Sequence, residues 1–170
     1  MSNATRRTFL SLGSNLGDRR LHLRCAREAL AAVPDTAVLA ESRIYQTAPQ
    51  DLADQPPFLN QVVCIQTGLP PAELLAAAQT IENAEGRVRG VRFGPRTLDV
   101  DILLIENHHS DDPALTVPHP RMWQRAFVLV PLAEVWSLAK GMPAVDVAAL
   151  ARDLSVRQPV TVFGESEAQQ

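Results

Sequence analysis

The sequence predicts an α+β domain built on one antiparallel sheet, and three observations lead there. Four stretches rich in β-branched and apolar residues begin near Thr8, Val38, Phe58 and Leu98. Two stretches with helical spacing of apolar residues fall between the first and second and between the third and fourth. The resulting order, strand-helix-strand-strand-helix-strand, is the split β-α-β arrangement of ferredoxin-like folds, with helices over one face of the sheet and further helical elements after it.

The first strand, Thr8 to Ser11, runs into Gly13-Ser14-Asn15-Leu16-Gly17-Asp18, whose glycines and asparagine permit a tight loop. That loop lacks the G-K-[ST] ending of a P-loop. Asp18 is a suitable N-cap for a helix to about Val33, with Leu21, Ala29 and Leu30 among its apolar positions. Val38 to Tyr45 reads as the second strand, and the proline-rich connector Ala48 to Pro57 reads as a functional loop. Phe58 to Thr67 is the third strand. Pro70-Pro71 opens a second helix, with Leu74, Leu75, Ala78 and Ile81 as its apolar stripe. Leu98 to Ile105 is the fourth strand, followed by a polar loop at Asn107 to Pro113 and an extended Leu115 to Pro120. A helix is expected from Arg121 to about Val130, interrupted near Pro131, and another from Val145 to Leu154, with a polar tail from about 156. The domain is taken as residues 5–170, since Met1 to Ala4 reads as a cloning remnant.

A length of 170 residues suits one domain. The chain is 46% hydrophobic and 21% charged, which argues against disorder. The net charge of −3 excludes a global basic field for nucleic acid. The two cysteines, Cys25 and Cys64, have no C-x-x-C spacing and suit reduced thiols in a cytoplasmic protein. No apolar run reaches membrane-spanning length. A cytoplasmic monomer acting on small molecules is expected, without nucleic acid or membrane as partner.

Chemistry concentrates around the fourth strand. Asp99 and Asp101 are two positions apart, so both carboxylates project from one face, with Leu98, Val100, Ile102 and Leu104 on the other. Paired carboxylates repel unless a cation lies between them; a solvated edge paired with nearby arginines is the competing explanation. Upstream lie Arg87, Arg89, Arg92 and Arg96, with Gly90 and Gly94 among them, suited to closing over phosphates. The mixture points to magnesium and a nucleoside phosphate. Phe58 and Phe127 suit either the core or stacking on a flat heterocycle.

The runs G-R-V-R and R-F-G-P-R-T-L-D-V-D-I-L-L resemble the signature of the hydroxymethyldihydropterin pyrophosphokinase (HPPK) family of folate biosynthesis. L-G-S-N-L-G-D, Y-Q-T-A-P, D-Q-P-P-F-L-N and L-T-V-P-H-P follow the family's order. The resemblance implies an ATP-dependent pyrophosphokinase (a diphosphotransferase) that binds ATP, two Mg²⁺ ions and hydroxymethyldihydropterin together. It implies Asp99 and Asp101 as metal ligands and Arg87 and Arg96 as the arginines that hold the ATP phosphates and assist transfer. Gln79, Glu82, Arg89, Arg92, Ile102, Thr116, His119 and Arg125 fall at positions around the nucleotide. Phe58 and Phe127 match the pair that sandwiches the pterin, with Asn60 and the Thr47-Ala48 backbone at its polar edge and Phe93 nearby. Ala48, Phe58, Phe93, Ala114 and Pro120 depart from the usual family residues, none of them at the metal ligands or Arg96. Two rivals stand beside this reading: another Mg-dependent phosphotransferase or nucleotidyltransferase, and a non-catalytic ferredoxin-like regulatory or RNA-binding module. The second is disfavoured by an aromatic content of 5%.

Overall fold

The computed structural model describes residues 4–48, 54–86 and 97–164. Along the chain run β1 (Arg6–Ser14), α1 (Arg19–Ala32), β2 (Thr36–Glu41), β3 (Tyr45–Thr47), β4 (Phe58–Thr67), α2 (Pro71–Ala84), β5 (Asp99–Ile105), α3 (Ala126–Val135), α4 (Val147–Ser155) and β6 (Val160–Val162). Single 3-10 turns at Met122–Gln124 and Trp136–Leu138 flank α3. The strands form one sheet in the order β5-β1-β4-β3-β6, with β2 also paired to β4, and every pairing is antiparallel.

Alternation along the strands divides the core into two layers. Under α1 and α2, Leu23, Leu30, Leu74 and Ile81 pack on Leu10, Leu12, Leu59, Val63 and Ile65. On the opposite face, Val128, Leu129 and Leu132 of α3 and Val147 and Ala151 of α4 pack on Phe9, Val62 and Cys64. The second face, away from α1 and α2, is therefore partly covered by the C-terminal helices α3 and α4.

Local rules account for most element ends. The Asp18 side chain accepts the Leu21 N–H at 3.1 Å and starts α1. Pro71 occupies the first turn of α2, where its missing N–H has no helical role. Cys25 and Cys64 are free thiols, as expected.

Five expectations need correcting. The strand expected at Val38 to Tyr45 is two strands, because Ser42 interrupts the ladder. Its N–H donates to Val62 O at 2.9 Å, while its Oγ, in place of a backbone carbonyl, accepts Val62 N–H at 3.0 Å. Pro131 does not end a helix. α3 continues through it, since buried Val128, Leu129, Leu132 and Val135 outweigh a proline penalty of about 3 kcal/mol. The helix also begins at Ala126 rather than Arg121, the residues before it forming the 3-10 turn. The stretch read as a polar tail contributes β6, paired to β3 through Tyr45↔Val162 and Thr47↔Val160. Finally, Leu104 does not share a face with Val100 and Ile102. The β1–β5 register slips between Phe9 and Leu10, so Phe9 faces Leu104 while Leu10 faces Ile102. Leu103 and Leu104 join the α3 layer, whereas Val100, Ile102 and Ile105 join the α1/α2 layer.

Candidate functional site

Register places the candidate residues in rows across the face that carries α3. One row reads Asp99, Gly13, Asn60, Tyr45, and the next holds Asp101, Ser11 and Val62. Directly paired residues project to the same side, so Asp99, Asp101 and Asn60 share a face, as do Phe58 and Thr47, paired with each other at the end of β4. Both aspartates are half-buried and Asn60 is 3% exposed.

Gly13 is the gap in this row. A Cβ there would lie 3.3 Å from Asn60 Oδ1 and 4.0 Å from Phe58 Cδ1. The sequence reads Gly13 as a turn residue; it lies inside β1, and its value is close approach. The positive φ of the following loop belongs to Gly17, at 72°. Asn60 Nδ2 donates to Thr47 Oγ1 at 2.8 Å. That bond orients the amide and directs Oδ1 over Gly13 as an acceptor.

Neighbouring segments are tied to this face by hydrogen bonds. Asn15, 1% exposed, donates through Nδ2 to Gln55 Oε1 at 3.1 Å and to Pro56 O at 3.2 Å. Arg19 Nη1 donates to Pro57 O at 2.9 Å. The loop after β1 thus holds the end of the connector that leads into Phe58. His119 N–H donates to Leu103 O at 2.9 Å, fastening the segment after the cis Val117–Pro118 bond to the bulge in β5. Burial pushes the His119 imidazole down; the Arg125 charge adds to this, Asp99 opposes it, and Arg121 lowers it further. The Arg125 and Asp99 charges therefore both reach His119. The Arg125 guanidinium lies 5.4 Å from the centre of the Phe127 ring, which packs on the α3 layer.

Not every candidate lines this face. Ile102 is buried in the α1/α2 layer, leaving only its backbone for a ligand. Glu82 is 6% exposed and its Oε1 accepts the Val100 N–H at 2.8 Å, so α2 grips the outer edge of β5. Gln79 is exposed one turn earlier on α2, and Thr116 Oγ1 donates to Asp112 O at 3.0 Å. Ala48 is exposed at the end of β3. Arg87, Arg89, Arg92, Phe93 and Arg96 lie outside the described residues.

Sequence reasoning missed a second set. Glu134 of α3 accepts from Arg43 N at 2.7 Å, Arg43 Nε at 2.6 Å and Tyr45 OH at 2.5 Å, clamping α3 to β3. Residues so far apart in sequence carry no local signal of this contact.

Two carboxylates on one strand offer a hard oxygen donor set, and magnesium commonly takes one or two carboxylates and completes its shell with water and phosphate. Among the described residues no group of three or more His, Cys, Asp or Glu side chains gathers. Thr97 Oγ1, just before the pair, is buried without a hydrogen-bond partner among the described residues. The residues present fit a phosphate-bridged hard cation.

Comparison with solved structures defines the class first. The fold matches a Plasmodium falciparum HPPK-DHPS triple mutant with pteroate at a TM-score of 0.69 and 14% identity, covering 91% of this chain and 44% of that one. The chain thus spans less than half of that protein, and what the match establishes is the ferredoxin-like α+β fold. Sequence goes further. Residues 9–137 match the model of the 7,8-dihydro-6-hydroxymethylpterin-pyrophosphokinase (HPPK) family. The Bacillus subtilis 2-amino-4-hydroxy-6-hydroxymethyldihydropteridine pyrophosphokinase is 50% identical over 127 residues, 75% of this chain and 76% of that one. The Pseudomonas aeruginosa protein of the same name is 47% identical over 129 residues, 76% of this chain and 80% of that one. The chain belongs to the HPPK family and is an enzyme of the pyrophosphokinase class.

Proposed function

We propose that this chain transfers diphosphate from ATP to the hydroxymethyl group of 6-hydroxymethyl-7,8-dihydropterin, giving AMP and the pterin diphosphate in folate biosynthesis. The observation that carries this reading is the row Asp99–Gly13–Asn60. It supports the reading because the carboxylates assigned to cation-bound phosphate and the amide assigned to the pterin edge share one row, with a residue lacking a side chain between them.

In this reading Phe58 and Phe127 stack on the pterin faces, and Asn60 Oδ1 accepts from an N–H on its edge beside the Thr47-Ala48 backbone. The hydroxymethyl oxygen then faces the ATP side across Gly13. Asp99 and Asp101 would hold two Mg²⁺ ions, which neutralise phosphate charge and favour in-line attack on the β-phosphorus. His119, kept neutral by burial and neighbouring arginines, presents a nitrogen toward the nucleotide without adding charge. Arg125 contributes a cation at the boundary between the two substrates. Arg87 and Arg96, with Arg89 and Arg92, are assigned to the ATP phosphates and Phe93 to the pterin, all by their place in the signature. Gln79, Glu82, Ile102 and Thr116 are assigned to the nucleotide side, Glu82 and Ile102 acting from beneath as supports. Neither aspartate serves as a general base, since both are committed to the cations. The chain is read as a cytoplasmic monomer; among the described residues no helix is long and apolar enough to cross a membrane.

The test is incubation with ATP, Mg²⁺ and the dihydropterin alcohol, followed by mass spectrometry. AMP and pterin diphosphate in equal amounts are expected. ADP with a pterin monophosphate, or no pterin product, overturns the reading.

A further inference from the structure

The segment that follows α4 lies beyond the residues matched to the family, and its sequence reads as a tail. In the structure it reaches both sides of the proposed pterin pocket. Gln158 Oε1 accepts the N–H of Ala126 at 2.8 Å, and its Nε2 donates to the carbonyl of Gln124 at 3.0 Å. Only one orientation of the amide satisfies both partners. Between those partners is Arg125, where the backbone leaves the 3-10 turn (φ −119°, ψ 108°) and enters α3 without a side-chain cap of its own. One primary amide therefore spans the turn that displays Arg125 and sets the direction of Phe127.

Two residues further on, β6 pairs with β3. Thr47 faces Val160, Tyr45 faces Val162, and Phe163 N–H donates to Ile44 O at 2.8 Å. Without β6, the outer edge of β3 would lack a paired strand. The Phe163 ring packs against the α1/α2 layer and lies under the guanidinium groups of Arg19 and Arg20, at 5.6 and 5.9 Å. Arg19 in turn holds Pro57 O, next to Phe58. One short run thus touches the turn before Phe127, the strand of Thr47 and the support of Phe58.

We propose that Gln158 to Phe163 is a strap that sets the separation of the two pocket walls, with Gln158 as a positioning residue for pterin binding; this rests on the pocket assignment above. The physical reason is the origin of the walls. Phe127 stands on α3 and Phe58, Asn60 and Thr47 on β4 and β3, and a sandwich for a flat ring tolerates little change in spacing. The Glu134 clamp ties the far end of α3 to β3, and the strap ties the near end. Asp99 and Asp101, on β5, are held independently of it.

The test is steady-state kinetics and calorimetric binding of each substrate with the full chain carrying Gln158→Leu, Gln158→Glu or Phe163→Leu, beside a thermal melt. Gln158→Leu removes both hydrogen bonds at similar volume, and is expected to raise KM for the pterin about tenfold and KM for ATP by about threefold or less. Gln158→Glu retains the acceptor for Ala126 N–H but sets a second oxygen against the Gln124 carbonyl, and is expected to recover only part of the loss. Phe163→Leu, a second route to the same wall, is expected to show the same preference for the pterin. Equal losses for both substrates, or a lower melting temperature with unchanged KM values, overturns the strap. Absence of AMP and pterin diphosphate from the unaltered chain overturns the pocket assignment instead, so the two failures are distinguishable.

Discussion

The carboxylate of Glu82 accepts the backbone N–H of Val100 at 2.8 Å, and Val100 is the residue between Asp99 and Asp101. Among the described residues β5 is the edge of the sheet, so that N–H points away from β1 and meets no described strand. A buried acidic side chain from α2 fills the role. Glu82→Ala should destabilise the fold by about 1–3 kcal/mol, the usual effect of stranding a buried donor. Amide exchange at Val100 should accelerate, and Glu82→Gln should retain most of the protection. Hydrogen exchange followed by NMR, with urea melts, checks both.

Asp99→Ala separates metal chemistry from folding. Asp99 is half-buried on the edge strand β5, and its replacement leaves the β1–β5 pairing in place, so the chain should remain folded. The rate of AMP formation should fall by about two to three orders of magnitude, a loss of several kcal/mol of charge stabilisation. A quenched-flow assay of AMP, with circular dichroism for the fold, decides it. Near-normal turnover would remove Asp99 from the metal site.

Gly13→Ala tests the gap between the two halves of the site. The new Cβ meets Asn60 Oδ1 at 3.3 Å, tight enough to displace the amide by a few tenths of an ångström. Pterin affinity should fall about tenfold while ATP affinity changes little, because the misplaced acceptor belongs to the pterin side. Calorimetry with each ligand separately gives the answer; equal losses would assign Gly13 to packing alone.

The Tyr45–Glu134–Arg43 clamp should appear in the pH dependence of stability. Burial works to raise the Glu134 carboxyl, but hydrogen bonds from Tyr45 and Arg43 and the guanidinium charge outweigh it, and its pKa lies below the ordinary 4.5. A lowered carboxylate contributes stability above that ordinary value and loses it as pH falls through the folded one. Tyr45 is pushed up to about 12 from 10.0, by burial first and then by its hydrogen bond to Glu134. Its contribution is complete below pH 10.0 and disappears as pH rises toward 12. Urea melts across both ranges should show a shallower alkaline decline for Tyr45→Phe and a shallower acid decline for Glu134→Gln than for the parent chain. Parallel curves would show that the clamp is not coupled to protonation.

By itself the sequence determined the places of α1, α2, β4 and β5 in the chain, the apolar face of α2, the Asp18 cap, the full extent of β4 and the alternation that projects Asp99 with Asp101; in α1 it named Leu30 correctly but also Leu21, which is exposed. Each depends on residues a few positions apart, where helical and strand periods act directly. Family signatures in chain order determined the class of enzyme. Only tertiary structure decided that Ser42 breaks a strand, that a register slip moves Leu104 to the opposite layer, and that Pro131 sits inside a helix. These outcomes arise where a partner strand or a buried layer outweighs local preference. The same holds for Glu82 under Val100, for Glu134 on Tyr45 and for Gln158 at the start of α3. Each joins residues distant in the chain, and hydrogen bonds across that distance leave no period or spacing in the sequence.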